Sequence, residues 1–169
     1  MPMSIREATA DDIADLATLL VEVNDLHASA LPHIYRRVAA DDQTASFLRS
    51  LLEEEETRLL VAEEAGQLVG YVALRLSQAP NTPVHVPRRW VIIDAVVVRE
   101  AFRRRGIGEA LMEHAHAWAV EQDIGEVELE VAEFNAAAIA LYQKLGYTTV
   151  SRRMTRALAD GARNEGAGE

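Results

Sequence analysis

Residues 90–98 and the short loop after them constrain the fold more than any other part of the chain. Six of these nine positions are β-branched, which favours a strand. The loop at 103–108 holds three arginines and two glycines, and apolar residues at helical spacing begin directly after it. This succession of strand, glycine turn and helix predicts a central strand in a sheet that helices cover.

The glycine turn also has the chemistry of an anion site. The first N–H groups of a helix have no internal partner, and the helix dipole is positive at that end. Gly106 and Gly108 allow a diphosphate to approach the backbone, and the arginines add charge-assisted hydrogen bonds. The turn lacks both the Lys-Ser/Thr pair of a P-loop and the third glycine of a dinucleotide fingerprint. A plain glycine turn beside a solvated basic patch is the alternative interpretation.

The spacing of apolar residues organises the rest of the chain into one domain. It predicts helices over about 10–31, 41–55, 107–122 and 135–145, and strands around 5–8, 59–64, 68–76, 90–98, 127–131 and 147–156. Antiparallel neighbours come first and alternating units follow, which predicts an α+β fold with a mostly antiparallel sheet. We expect a single domain over 1–158 and a disordered tail over 159–169.

Composition excludes several classes of protein. The 169 residues contain no cysteine, which excludes a disulfide scaffold, a cysteine nucleophile and a thiolate metal site. The net charge is −10, so nucleic acid is not expected as a general partner. The amino-terminal residues have no apolar signal core, and apolar stretches are no longer than a strand. We therefore expect a cytoplasmic protein that binds neither nucleic acid nor a membrane.

Two motifs resemble those of the GNAT superfamily of N-acetyltransferases, and they occur in the family's order and spacing. The strand end at 96–98 and the turn at 103–108 are similar to the family's acetyl-CoA signature of Arg or Gln, two residues, Gly, one residue, and Gly or Ala. Residues 135–147 resemble the later motif, with Asn, Ala, Leu-Tyr, Lys and a Gly followed by an aromatic residue. The resemblance spans about residues 4–150.

The resemblance implies a fold, an activity and a cosubstrate. The fold is a GNAT-type mixed, mostly antiparallel twisted sheet of six or seven strands, flanked by about four helices and splayed between the fourth and fifth strands. The activity is transfer of the acetyl group of acetyl-CoA to a primary amine within a ternary complex. The residues expected to bind coenzyme A are Val96, Val97, Val98, Arg103, Arg104, Arg105, Gly106, Ile107 and Gly108.

The resemblance also assigns two proton-transfer roles. Tyr142 matches the family's usual general acid, which protonates the departing thiolate, although simple packing of this ring is the alternative. Asp94 lies where many members carry a glutamate base, and the two-residue repeat of a strand places it on the face of Val96 and Val98. A structural ion pair at Asp94, a base role for Glu133, and proton loss to water are the open alternatives.

Further positions are carried over for the cofactor and the acceptor. Asn135 matches the position whose side chain binds coenzyme A, and it equally suits the N-cap of the next helix. The family's acceptor pocket corresponds to Asp25, His27 and Tyr35, with a packed histidine as the alternative at His27. No metal is expected, because the histidines lack the i, i+4 spacing of a helical metal site.

The carboxyl end departs from the family pattern. Family members usually end in two strands joined by a turn, whereas residues 147–158 contain no turn signal. Either the last strand is missing or one continuous strand replaces both. The open sheet edge that results could pair in a homodimer.

Two other functional classes compete with the enzyme. A non-catalytic acyl-CoA sensor or partner-binding domain would keep the glycine turn without needing Tyr142 or Asp94, so the presence of both favours catalysis. A nucleotide-binding module lacks the required Lys and Ser/Thr. The acidic chain would steer a cationic acceptor, whether a small-molecule amine such as a polyamine or aminoglycoside, or the amino terminus of a peptide. The sequence does not identify the acceptor.

Overall fold

The computed structural model describes residues 3–156, which form the elements β1 (Ser4–Glu7), α1 (Ile13–Ala30), α2 (Asp42–Glu53), β2 (Thr57–Glu64), β3 (Gln67–Gln78), β4 (Arg89–Val98), α3 (Ile107–Glu121), β5 (Val127–Leu129) and α4 (Ala136–Lys144). Short 3₁₀ turns precede α1 and lie between β4 and α3. The α+β class that the sequence predicts is confirmed. No helix in this described part is long and apolar enough to cross a membrane.

Polar side chains determine where the first two helices begin. Asp41 caps α2, because its carboxylate accepts from the Thr44 N–H at 3.0 Å. Ahead of α1, the buried carboxylate of Asp12 accepts from the Thr9 N–H at 2.7 Å and from both terminal nitrogens of Arg6. The Arg6 guanidinium lowers the pKa of Asp12 to about 2. This ion pair joins β1 to the start of α1.

The strands form one sheet in the order β1-β2-β3-β4-β5. The first three pairs are antiparallel, and β5 joins β4 in parallel. β3 pairs with β4 along nearly its whole length, whereas β5 pairs with β4 only at Val91, Ile92 and Ile93. Beyond Ile93, no described strand pairs with this edge of β4. This agrees with the expected splay between the fourth and fifth strands.

Helices bury apolar side chains on both faces of the sheet. On one face, α3 contributes Leu111, Met112 and Ala115, which are fully buried against β3 and β4. On the other face, α1 contributes Leu16 and α2 contributes Leu48 to a second core. The sheet therefore has an α3 face and an α1/α2 face, each with its own core.

A β-bulge at Asp94 changes the face that later residues of β4 occupy. The pairing of β4 with β3 skips Asp94, which is an extra residue in the ladder. Ile93 before the bulge, and Val96 and Val98 after it, all pack against the α3 core. The Asp94 carboxylate instead contacts Arg75 of β3. Residues on both sides of Arg75 in that strand belong to the α3 core, so Arg75 itself lies on the opposite face of the sheet. The expectation that Asp94 shares a face with Val96 and Val98 is therefore wrong, because it assumed an unbroken two-residue repeat.

The expected last strand does not form in the described residues, so the sheet there has five strands and not six or seven. Residues 147–156 have no ladder pairing. Val150 and Met154 are 86% and 85% exposed. The segment forms two ion pairs, each of 3.8 Å, with residues just after β5. Three polar residues separate Val150 from Met154, and neither apolar side chain is buried against another described part of the chain. The predicted tail at 159–169 lies outside the described residues.

Candidate active site

The loop between β4 and α3 presents a row of unpaired backbone N–H groups. Arg104 and Gly106 both adopt left-handed conformations, with φ of +62° and +81°, and α3 begins directly at Ile107. Within the described part of the chain, the N–H groups of residues 104–109 have no acceptor. We call this row the cradle. Unpaired N–H groups at the positive end of a 15-residue helix favour an anion.

The three arginines of the loop differ in what they contact. Arg103 donates to the Val98 carbonyl at 3.0 Å, and it also meets a carboxylate of α1 at 3.3 Å. Arg105 meets Glu64 of β2 at 2.7 Å. Arg104 has no hydrogen-bond or ion-pair partner among residues 3–156. The sequence predicts phosphate contacts for all three. Arg103 and Arg105 are 43% and 49% exposed, so Arg104 differs from them in that it need not give up a protein partner to bind a ligand.

The end of β4 carries backbone groups that no described strand satisfies. The Arg99 N–H donates to the Val69 carbonyl of β3 at 2.8 Å. Because backbone groups of successive strand residues face alternate sides, those of Val97 also face β3. The backbone groups of Val96 and Val98 therefore face the opposite side, where β5 has already ended and where, within the described chain, the Val98 carbonyl accepts only from the Arg103 side chain. An extended ligand could hydrogen-bond at this edge as a further strand.

Asp94 is held in an ion pair at the bulge of β4. Its two carboxylate oxygens accept from the Arg75 guanidinium at 3.1 and 3.2 Å. Both side chains are about two-fifths exposed, at 42% and 40%, so water reaches the pair. Sequence reasoning missed Arg75, although a lone arginine within an apolar strand was an available signal. The ion pair at Asp94, one of the alternatives that the sequence left open, is therefore present. Its presence does not test whether Asp94 takes part in proton transfer.

Tyr142 lies in α4, partly buried against the α3 core. Burial raises the pKa of its phenol, so the hydroxyl keeps its proton near neutral pH. The neighbouring Leu141 would lie 3.4 Å from a Cβ placed on Gly108, so α4 packs directly beside the cradle. The structure therefore brings the helix that carries Tyr142 together with the glycine turn.

Asn135 is the N-cap of α4, which is one of the two roles that the sequence predicts for it. Its side-chain oxygen accepts from the Ala138 N–H at 3.2 Å. Its side-chain nitrogen has no acceptor in residues 3–156, and two N–H donors are left over for a ligand. The cap therefore leaves the expected contact with coenzyme A chemically possible.

Three aromatic side chains from separate segments meet in what we call the aromatic cluster. The His27 ring lies 5.2 Å from that of Tyr35 and 5.5 Å from that of Phe134, between ring centroids. The cluster thus joins the last turn of α1 to the loop before α4. Tyr35 and Phe134 remain 40% and 38% exposed. Sequence reasoning missed Phe134, whose position next to the cap residue Asn135 was the only signal.

Other features lie apart from these groups. Asp25 pairs with Arg37 at 2.9 Å instead of joining the aromatic cluster, and the side chain of Glu133 is 83% exposed. A depression of about 460 Å³ beside the 79–88 loop is lined by none of the residues of the cradle or the aromatic cluster. No group of three potential metal ligands occurs among the described side chains, and the absence of a metal stays a prediction.

Comparison with known proteins supports one family. Residues 20–147 match the model of the Acetyltransferase (GNAT) family. The chain is 30% identical to Uncharacterized N-acetyltransferase YhfO of Bacillus subtilis, over 86% of this chain and 89% of that protein. It is 32% identical to an N-alpha-acetyltransferase of Sulfolobus acidocaldarius, over 86% and 80% of the two chains. The solved tetramutant of BH1408 protein from Bacillus halodurans has a TM-score of 0.84 at 27% identity, covering 92% and 99%.

The chain therefore belongs to the GNAT family of acetyl-CoA-dependent N-acetyltransferases. This confirms the resemblance that the two sequence motifs predict. Homology of this extent does not identify the acceptor or the residue that takes its proton.

Proposed function

We propose that the enzyme transfers the acetyl group of acetyl-CoA to a primary amine by direct attack within a ternary complex. The observation that carries the proposal is the cradle at residues 104–109, which lies next to the unpaired edge of β4. The cradle suits a diphosphate, and the strand edge suits an extended amide-containing chain. Coenzyme A contains both groups in this order, separated by a short linker.

Each part of coenzyme A has a matching set of groups. The pyrophosphate would accept from the cradle N–H groups, with Arg104 as the arginine that is free to add charge. The pantetheine amides would pair with the backbone of Val96 and Val98. Asn135 would donate through its free side-chain nitrogen while it continues to cap α4. This arrangement places the thioester in the gap where β4 and β5 separate.

The chemical step requires one proton to leave and another to be supplied. The neutral amine attacks the thioester carbonyl carbon, a C–N bond forms, and the tetrahedral intermediate then breaks its C–S bond. The Tyr142 phenol donates its proton to the departing sulfur, and the amine nitrogen loses one proton. Burial raises the pKa of Tyr142, so the phenol carries its proton when the step begins.

Asp94 is our proposed acceptor of the amine proton, acting through water. The carboxylate lies on β4 two residues before Val96, and it is open to solvent on one side of its pair with Arg75. Glu133 and bulk water are the other candidates.

Asp94→Asn should lower turnover and remove the limb of the pH–rate profile that reports the base. Arg75→Gln is the matched control, because it breaks the same ion pair while it keeps the carboxylate. Equal losses in both variants would indicate a purely structural pair.

We place the amine acceptor beside the aromatic cluster. Its partly exposed rings lie where the end of α1 meets the loop before α4, and the chain's net charge of −10 favours a cationic acceptor over an anionic one. The relative from Sulfolobus acidocaldarius, by its name an N-alpha-acetyltransferase, makes peptide amino termini one candidate class. Small-molecule amines are the other. A homodimer and a cytoplasmic location stay predictions.

The test combines calorimetric titration of acetyl-CoA with a thiol-release assay. The amine panel contains polyamines, aminoglycosides, amino acids and short peptides. Binding with release for one amine class would support the transferase and identify its acceptor. Binding without release across the panel would favour the acyl-CoA sensor. Absence of binding would contradict the assignment of the cradle.

A further inference from the structure

A second tyrosine and a histidine lie directly behind Tyr142. Gly146 takes a left-handed conformation with φ of +90° just after α4, and the chain turns back so that the Tyr147 N–H donates to the Tyr142 carbonyl at 3.0 Å. The two rings lie 5.8 Å apart at an angle of 60°. The Tyr147 hydroxyl forms a hydrogen bond of 2.8 Å with Nε2 of His116 on α3. This hydrogen bond therefore ties the segment after α4 to α3, and the same tyrosine contacts Tyr142.

The hydrogen bond joins two neutral groups. Burial lowers the pKa of His116, against the opposing effect of Glu113 on the same helix, so the imidazole is uncharged near neutral pH. Burial, together with the nearby Tyr142, raises the pKa of the Tyr147 phenol, which therefore stays protonated. A neutral imidazole and a neutral phenol can share one hydrogen bond, whichever ring nitrogen carries the imidazole proton.

Helix α4 needs this support more than the other helices do. None of its residues is fully buried, whereas α3 has five that are. The position of the Tyr142 ring therefore depends on the few groups that contact it. Tyr147 contacts it through both a backbone hydrogen bond and its ring, and Tyr147 is itself tied to the well-packed helix α3.

We propose that His116 and Tyr147 form a positioning pair that holds the phenol of Tyr142 in place for proton donation to the thiolate. The proposal rests on the proposed function, in which Tyr142 is the general acid. Neither member of the pair needs to touch the substrate. Loss of the hydrogen bond would leave α4 folded but would let the Tyr142 ring take other orientations, and small misplacements of a catalytic group are costly.

The primary test observes Tyr142 without any acceptor. Protein labelled with ¹³C at tyrosine Cζ should give a signal for each of the four tyrosines, and Tyr142→Phe identifies that of Tyr142. Tyr147→Phe and His116→Leu should each shift or split the Tyr142 signal. His116→Gln retains a polar group near the position of Nε2 and should restore the original signal. His114→Leu is the matched control, because that exposed histidine lies on the same helix and its ring bonds only the Ala110 carbonyl one turn earlier.

Kinetics form the second arm, with the amine that gives the fastest thiol release. Tyr147→Phe and His116→Leu should each lower kcat about tenfold and change the KM for acetyl-CoA less than twofold. His116→Gln should recover most of the loss. An unchanged Tyr142 signal in both disrupting variants would overturn the positioning pair, as would an unchanged kcat. If Tyr142→Phe itself keeps full turnover, the acid assignment fails instead, and the two failures remain distinguishable.

Discussion

The amino-terminal half of the sheet and the region after α3 are held together very differently. β3 and β4 pair at nine positions, whereas β4 and β5 pair at three. Five residues of helix α1 are buried, whereas no residue of α4 is more than partly buried. The residues that we propose for catalysis and cofactor binding lie along the boundary between these two regions. The difference indicates that the first region is a self-sufficient scaffold, while the second depends on a few specific contacts.

This contrast also explains why the site is an open gap and not an enclosed cavity. Among the described residues, β5 does not pair with β4 beyond Ile93 and no other strand takes its place, so the end of β4 keeps unpaired backbone groups. Bound coenzyme A would supply the missing hydrogen bonds. Ligand binding should therefore stabilise the weaker region more than the scaffold.

The largest effect should come from Gly106→Val in the cradle. Its φ of +81° is strained for a β-branched residue, and a backbone shift that relieves this strain would turn the neighbouring unpaired N–H groups away from the ligand. Loss of two charge-assisted hydrogen bonds, at about 1.5 kcal/mol each, predicts about 100-fold weaker acetyl-CoA binding by calorimetry.

Gly66→Val is the matched control for this variant. Gly66 has nearly the same φ, +77°, and nothing within 4 Å, but it lies in the β2–β3 turn. Both variants should lose about 1–2 kcal/mol of stability from backbone strain, and only Gly106→Val should lose binding. Equal binding by the two would remove the cradle from the cofactor site.

Tyr142→Phe should have the next largest effect. It removes the proton donor while it keeps the ring, so turnover should fall about 100-fold with little change in acetyl-CoA affinity. Tyr71→Phe provides the comparison from the scaffold, because burial raises the pKa of that phenol as well. Tyr71 is 4% exposed in the α1/α2 core, and its variant should keep full turnover. A similar loss in both would mean that packing, not proton donation, explains the effect.

Asp12→Asn tests the scaffold itself and should have a smaller effect. The carboxylate has a pKa lowered to about 2 in the folded protein, from an ordinary 3.8. Its stabilisation is therefore present above about pH 4 and is lost as the pH falls towards 2. With allowance for the partly exposed Arg6, the variant should lose about 1–2 kcal/mol at pH 7 in urea unfolding.

The pH dependence is the decisive part of that measurement. The difference between wild type and Asp12→Asn should shrink between pH 4 and pH 2. Asp25→Asn is the control, because its exposed pair with Arg37 should contribute little at any pH. A difference that persists at pH 2 would show that the ionised carboxylate is not the source of the stability.

The sequence predicted the scaffold well and the local geometry of the site less well. The spacing of apolar residues predicted all four α-helices of the described chain, and the glycine turn predicted an anion site where the cradle lies. Both predictions depend only on residues close together in the sequence. The bulge at Asp94 and its pair with Arg75 depend on how two strands register against each other, which no single-strand pattern contains. The cluster of His27 and Phe134 depends on contacts between residues far apart in the chain.

Residues 147–156 show the limit of such patterns most clearly, and they provide the smallest predicted effect. The sequence predicted a strand here, but a strand also needs a partner, and the segment contacts the region beyond β5 through ion pairs of 3.8 Å between exposed side chains. Replacing Arg152 and Arg153 together by alanine should therefore leave the urea midpoint unchanged within error. Arg6→Ala, which breaks the ion pair with the buried Asp12, should lower the midpoint clearly in the same experiment. If the double variant were destabilised as much as Arg6→Ala, the carboxyl-terminal segment would belong to the stable scaffold, and the boundary between the two regions would have to be moved.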